Sequence, residues 1–151
     1  MTMAKKLDLT NAASSVPRAM AAGFVATVVF TLVGYYLAPA ITGFPMDVAA
    51  YFADQFGGNG MLGAMLHYVS GTLLFPLGYL VVGPFLPGAR WLRGLAWGAI
   101  VWLGAMLVVF PATGAGFFML GMVGMNAVAA AFIDHLIYGV ILGVLLPVGP
   151  S

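Results

Sequence analysis

Two histidines and an aspartate lie where an apolar chain has little reason to keep them. Asp134 and His135 are neighbours in "AAAFIDHLIYGVILG", and His67 stands in "GAMLHYVSG". An ionised side chain near a bilayer centre costs roughly 2.5 to 3.5 kcal/mol on insertion scales, so such residues mark a functional site or a polar network by default. Three chemistries suit the set. Two neutral imidazoles on different helices can take both axial positions of a haem b, or hold a quinone between them. Imidazole with soft thioethers suits Cu(I), and Met61, Met65, Met119, Met122 and Met125 recur at three- and four-residue spacing on the His67 side. The third chemistry is structural: His67, His135 and a neutral Asp134 hydrogen-bond across helices to Tyr68, Ser70, Asn126, Tyr138 or backbone, at about 0.6 kcal/mol per bond.

Each sharper reading meets an objection. Counted from Pro84 and Pro147, the two histidines differ in depth by about 7 Å at 1.5 Å per residue, which a shared haem must absorb by helix tilt. Methionine is a flexible apolar filler as often as a ligand. No serine, lysine or second carboxylate accompanies either histidine at a spacing that builds a nucleophile and its base, and no loop cradles phosphate, so an enzyme is not expected. The chain has no cysteine, which excludes disulfides and thiolate metal sites. The polar-network reading is the plainest, with His67 and His135 as the candidate cofactor ligands if one is bound.

Composition dictates what positions these residues. Of the 151 residues 63% are hydrophobic and 6% charged, and the mean hydropathy is +1.09. A water-facing surface needs about a quarter charged residues, so the partner of this surface is lipid. A hydrocarbon core roughly 30 Å thick takes about 20 apolar residues per helix, and residues 18–38, 60–83, 92–110 and 118–146 supply four such runs. The fold class expected is all-α, an integral membrane bundle of four transmembrane helices in one domain over 18–147, with short tails at 1–17 and 148–151. The first run is longer than the usual signal-peptide core of about 7 to 15 residues, and it reads as a retained anchor despite "APA" at its end. The net charge of +1 offers no surface for nucleic acid.

Lys5, Lys6 and Arg18 precede the first run, and Arg90 and Arg93 flank the second connection; these are all the basic residues. With four spans they fall on one side, so the positive-inside rule puts both termini in the cytoplasm. The longest connection contains Val48, Tyr51, Phe52 and Phe56 near helical spacing, which suits a short interfacial helix within 46–57.

Alternate runs look alike. The first opens with Arg18, Ala21 and Gly23 and the third with Arg93, Ala96 and Gly98, in the same Arg-x-x-Ala-x-Gly spacing; the second carries Gly63, His67 and Gly71 and the fourth Ala131, His135 and Gly139. This reads as two tandem two-helix repeats. Residues four apart share a helix face, so each histidine sits in a stripe of small residues, extended to Gly143 in the fourth run. Ala19, Gly23, Thr27 and Thr31 form a matching face in the first. Asp134 is turned about 100° from His135 and does not fully share its face.

The segments "AAGFVAT", "LHYVSGTLLFPLGY", "WLRGLAWG", "FPATGAGFF" and "HLIYGVILG", in that order, resemble the YagU-like group of small bacterial inner-membrane proteins. The resemblance covers most of 18–146. It implies a four-helix inner-membrane fold and singles out His67, Arg93, Gly98, Gly116, His135, Tyr138 and Gly139, and it implies no reaction. With so little mass outside the membrane, the function expected is a non-catalytic accessory subunit packing against other membrane subunits or itself, in a respiratory or other electron-transfer complex. The alternative is a haem b or quinone binder, and Cu(I) handling is the lesser one.

Overall fold

Pro39, Pro76 and Pro111 stand within or at the end of three of the apolar runs, and the helix ahead of each is widened. Proline lacks the N–H that would close a backbone bond, and its ring presses on the preceding turn. The computed structural model of the protein describes residues 9–149, with side chains from residue 15. Helix α1 (Leu9–Leu32) passes into a π-turn at Val33–Leu37 before Pro39–Thr42. After the short α2 (Val48–Gln55) comes α3 (Gly60–Val69), with a π-turn at Ser70–Leu74 before Phe75–Val82. Helix α4 (Arg90–Gly104) has one at Ala105–Val109 before Phe110–Ala112. Each wide turn ends two residues ahead of Pro39, Pro76 or Pro111. A proline after such a turn leaves the carbonyl five residues back without its donor, and the structure supplies two of these from elsewhere. The Gly34 carbonyl accepts from the Met46 backbone N–H at 2.8 Å, and the Gly71 carbonyl accepts from the Tyr138 hydroxyl at 2.6 Å.

Helix α5 (Leu120–Leu145) completes the set, and no strand occurs among the described residues. Ser15–Thr42, Gly60–Phe85, Arg90–Ala112 and Phe117–Leu145 are each long and apolar enough to cross a membrane. Large apolar side chains such as Phe24, Tyr36, Leu74 and Val108 point outward, as lipid-facing residues must. The expected helices are present with shifted ends: α1 starts at Leu9, inside what reads as a tail. The fourth run is not continuous from 118, because Phe118 and Met119 have positive φ and Gly124 stands at φ 74°, ψ 172°, a conformation only glycine adopts without strain. Lys5 and Lys6 lie outside the described residues.

Glycine faces set the packing order α3–α1–α5–α4. A Cβ at Gly94 or Gly139 would fall on the other's carbonyl, one at Gly98 on the His135 carbonyl, and one at Gly143 within 2.8 Å of the Gly94 Cα. In the other pair, a Cβ at Gly23 would lie 2.8 Å from the Gly71 carbonyl, and one at Gly71 on the Thr27 hydroxyl. Gly23 and Gly98, and likewise Gly71 and Gly139, hold matching places in the sequence repeat; Gly98 and Gly139 meet backbone to backbone, while Gly23 and Gly71 also make room for the Pro76 and Thr27 side chains. With no hydrophobic drive between helices in lipid, this close approach is the attraction available.

Helix α2 closes the end of the bundle away from the termini, the distal end. Its first turn is capped by Asp47, whose Oδ1 accepts from the Ala50 N–H at 2.9 Å. A Cβ at Gly63 would strike Ala49 and Ala53, so this glycine lets α2 lie directly on α3. Tyr51 donates its hydroxyl proton to Thr113, whose own proton goes to backbone carbonyls, tying α2 to the α4–α5 connection. The short helix read at 46–57 is thus present, packed as a lid on the bundle. At the opposite, proximal end Arg93 Nη1 donates to the Val148 carbonyl at 2.6 Å, holding the chain end against α4.

Candidate functional site: a cavity lined by two imidazoles

The polar groups of the helices are mostly spent on their own backbone. Thr27 donates to the Gly23 carbonyl at 2.7 Å and Thr31 to the Thr27 carbonyl at 2.8 Å, each four residues back. Ser70 does the same with Leu66. These bonds satisfy hydroxyls that lipid cannot, and they leave the hydroxyl oxygens able only to accept.

That restriction fixes the state of His67. Its Nε2 lies 2.9 Å from Thr31 Oγ1. Because the Thr31 proton is committed to Thr27, the imidazole must be the donor: Nε2 carries the hydrogen, and in the neutral ring Nδ1 is an acceptor. His135 reaches the mirror-image arrangement. Its Nδ1 lies 2.7 Å from the Ala131 carbonyl, which can only accept, so Nδ1 carries the hydrogen and Nε2 is the acceptor. Both rings therefore keep one lone pair with no hydrogen-bond partner.

Both histidines line one central cavity of about 170 Å³ between α1, α2, α3, α4 and α5, walled by apolar groups including Phe52, Phe75, Val101 and Phe110. Phe30 stands against both imidazoles, with ring centroids 5.8 Å from His67 and 5.0 Å from His135, and 6.4 Å from Tyr138. A porphyrin ligated by both histidines would have to fit beside Phe30, whose ring stands against each of them. The cavity holds a single substituted ring more readily than a macrocycle.

Asp134 departs from the expected picture. It is 3% exposed and faces α1, where its Oδ2 would lie 3.3 Å from a Cβ on Gly34, while its Oδ1 has no hydrogen-bond partner. It is more buried than His135, although the small-residue stripe favoured the histidine's face. The reason is the wide turn of α1: Gly34, with no side chain, leaves room for a carboxyl that a regular apolar helix would exclude.

The partners expected for the network are mostly different ones. Thr31 and the Ala131 carbonyl hold the histidines, Tyr138 bonds Gly71, Tyr68 touches His67 only through its ring at 5.1 Å, and Asn126 is exposed. Met61, Met65, Met122 and Met125 are exposed on the lipid face and Met119 turns into a distal cavity, because the Gly124 break ends the helical phase on which a thioether stripe depends. Among the described residues no group of three His, Asp or Glu is gathered as a metal site. Gly116 serves a turn at φ 75°. Thr31 belongs to the small face read in the first run, though as a space-filler; nothing in the sequence pointed to Phe30 as the ring between the histidines.

No curated protein and no solved structure matches the chain. A family model matches residues 13–148, from within α1 to beyond the end of α5. The described spans and both histidines fall inside that match, and the chain belongs to a family of unknown function, DUF6789.

Proposed function

We propose that this membrane protein binds a small lipid-soluble molecule bearing hydroxyl donors, of the phenol or hydroquinone class, in the central cavity. The observation that carries the reading is the pair of unpartnered acceptors, His67 Nδ1 and His135 Nε2, on residues lining one apolar cavity. A neutral imidazole nitrogen that faces an apolar cavity gains a hydrogen bond only from a ligand that brings a donor, so a ligand with hydroxyl hydrogens is favoured over one that brings carbonyls. This separates a hydroquinone from its quinone, which offers acceptors only. The role is binding rather than catalysis, and it suits a subunit that presents such a molecule to a larger electron-transfer complex. The basic residues support an orientation with both termini in the cytoplasm of a bacterial inner membrane, in keeping with the YagU-like resemblance.

The test is equilibrium binding to the detergent-purified protein of a decyl-substituted hydroquinone, its quinone and its dimethyl ether. The hydroquinone should bind at least tenfold more tightly, about 1.4 kcal/mol, than either form without donors. Equal affinity for all three would overturn the reading, and a Soret band in the purified protein would restore the haem alternative.

A further inference from the structure

A second cavity lies on the distal side of Phe30, under the α2 lid. It measures about 310 Å³, and its walls include Phe44, Tyr51, Phe110 and Met106, together with three carboxyl groups, Asp47, Asp54 and Asp134. Asp47 and Asp54 are exposed, while Asp134 is 3% exposed and its Oδ1 has no partner. Among the described residues no lysine or arginine lines this space and His135 is the only nitrogen base in its wall; Arg18, Arg90 and Arg93 belong to the proximal end. The His135 Nδ1–H is committed to Ala131.

We propose that the distal cavity is a binding site for an organic monocation with an apolar body, a protonated amine or quaternary ammonium, whose charge pairs with Asp134. Asp134 Oδ1 is buried without a hydrogen-bond partner, and a cationic head supplies one. An inorganic ion would need several oxygen ligands close together, and among the described residues no three His, Asp or Glu are gathered to hold one, while the wall offers aromatic rings among aliphatic and thioether groups. Aromatic faces attract a cationic head and are worth most when it is desolvated, and the apolar wall takes the body. Asp47 and Asp54 at the solvent side raise the local concentration of cations without having to be desolvated. This proposal does not depend on the central cavity.

Benzyltrimethylammonium is a suitable probe, with benzylsulfonate as a comparator of similar size and opposite charge. Dialysis against the whole protein in detergent should show binding of the cation and none of the anion. Asp134→Asn keeps the shape and removes the charge, and should weaken the cation at least tenfold with the melting temperature unchanged. Absence of binding, equal uptake of both ions, or full affinity in Asp134→Asn would each overturn the proposal. A measurement on the unaltered protein covers the case in which the variant does not fold: an apolar carbodiimide should label Asp134, read by peptide mass, and benzyltrimethylammonium should block the labelling. Labelling that the cation does not slow would also overturn it.

Discussion

A neutral imidazole has one donor and one acceptor, and its neighbours decide which nitrogen is which. At His67 the decision belongs to Thr31, because that hydroxyl has already given its proton to Thr27. Thr31→Val should therefore release the ring as well as remove a bond. The expected stability loss is about 0.6 kcal/mol, the membrane average, with a ceiling near 1.7, read by thermal unfolding in detergent. Nitrogen-15 shifts of labelled histidine should show the Nε2–H tautomer of His67 in the parent protein and a mixture in the variant, and preference for hydroquinone over quinone should fall with it. An unchanged tautomer would mean that something other than Thr31 orients the ring.

Among the helices, two kinds of glycine separate cleanly. Gly98 has the His135 carbonyl where a Cβ would go, whereas Gly104, at the end of α4, has nothing within 4 Å. Gly98→Ala should push α4 from α5 and cost about 1 to 3 kcal/mol, the usual range for overpacking. Gly104→Ala faces open space and should be neutral or stabilising by up to about 1 kcal/mol, since alanine is the better helix former. Equal melting temperatures for the two variants would mean that the α4–α5 contact is looser than its geometry. Tyr138→Phe tests the proline turns in the same assay. Without the hydroxyl, the Gly71 carbonyl loses the donor that stands in for the missing Pro76 N–H, and a loss of about 1 kcal/mol is expected. Little change would mean that water replaces it.

Across the whole molecule, the Arg18, Arg90 and Arg93 side chains belong to the proximal end while the α2 lid and its two carboxylates belong to the other. Because the chain has no cysteine of its own, single cysteines report sidedness directly. Gln55 and Ala89 are exposed at opposite ends and avoid the positive-φ glycines nearby. In intact cells an impermeant maleimide should label Gln55→Cys and spare Ala89→Cys if the basic end faces the cytoplasm; the reverse labelling would invert the orientation.

The amino-acid sequence by itself determined the solvent, the number of helices and the faces that meet. Hydropathy over about 20 residues is a sum, insensitive to detail, and glycines four apart share a face whatever surrounds them. So Gly98, Gly139 and Gly143 were legible as contact positions, as was a short helix near 46–57. Tertiary structure decided the rest, because it depends on which helix lies beside which and at what depth. The donor for Gly71 comes from Tyr138 and the acceptor for His67 Nε2–H from Thr31, both far away in the chain. The burial of Asp134 depends on a wide turn in α1 set by Pro39, and the loss of the methionine stripe depends on the backbone of Gly124. Helical periodicity assumes an unbroken helix, and here prolines and one left-handed glycine reset the phase where the polar groups lie.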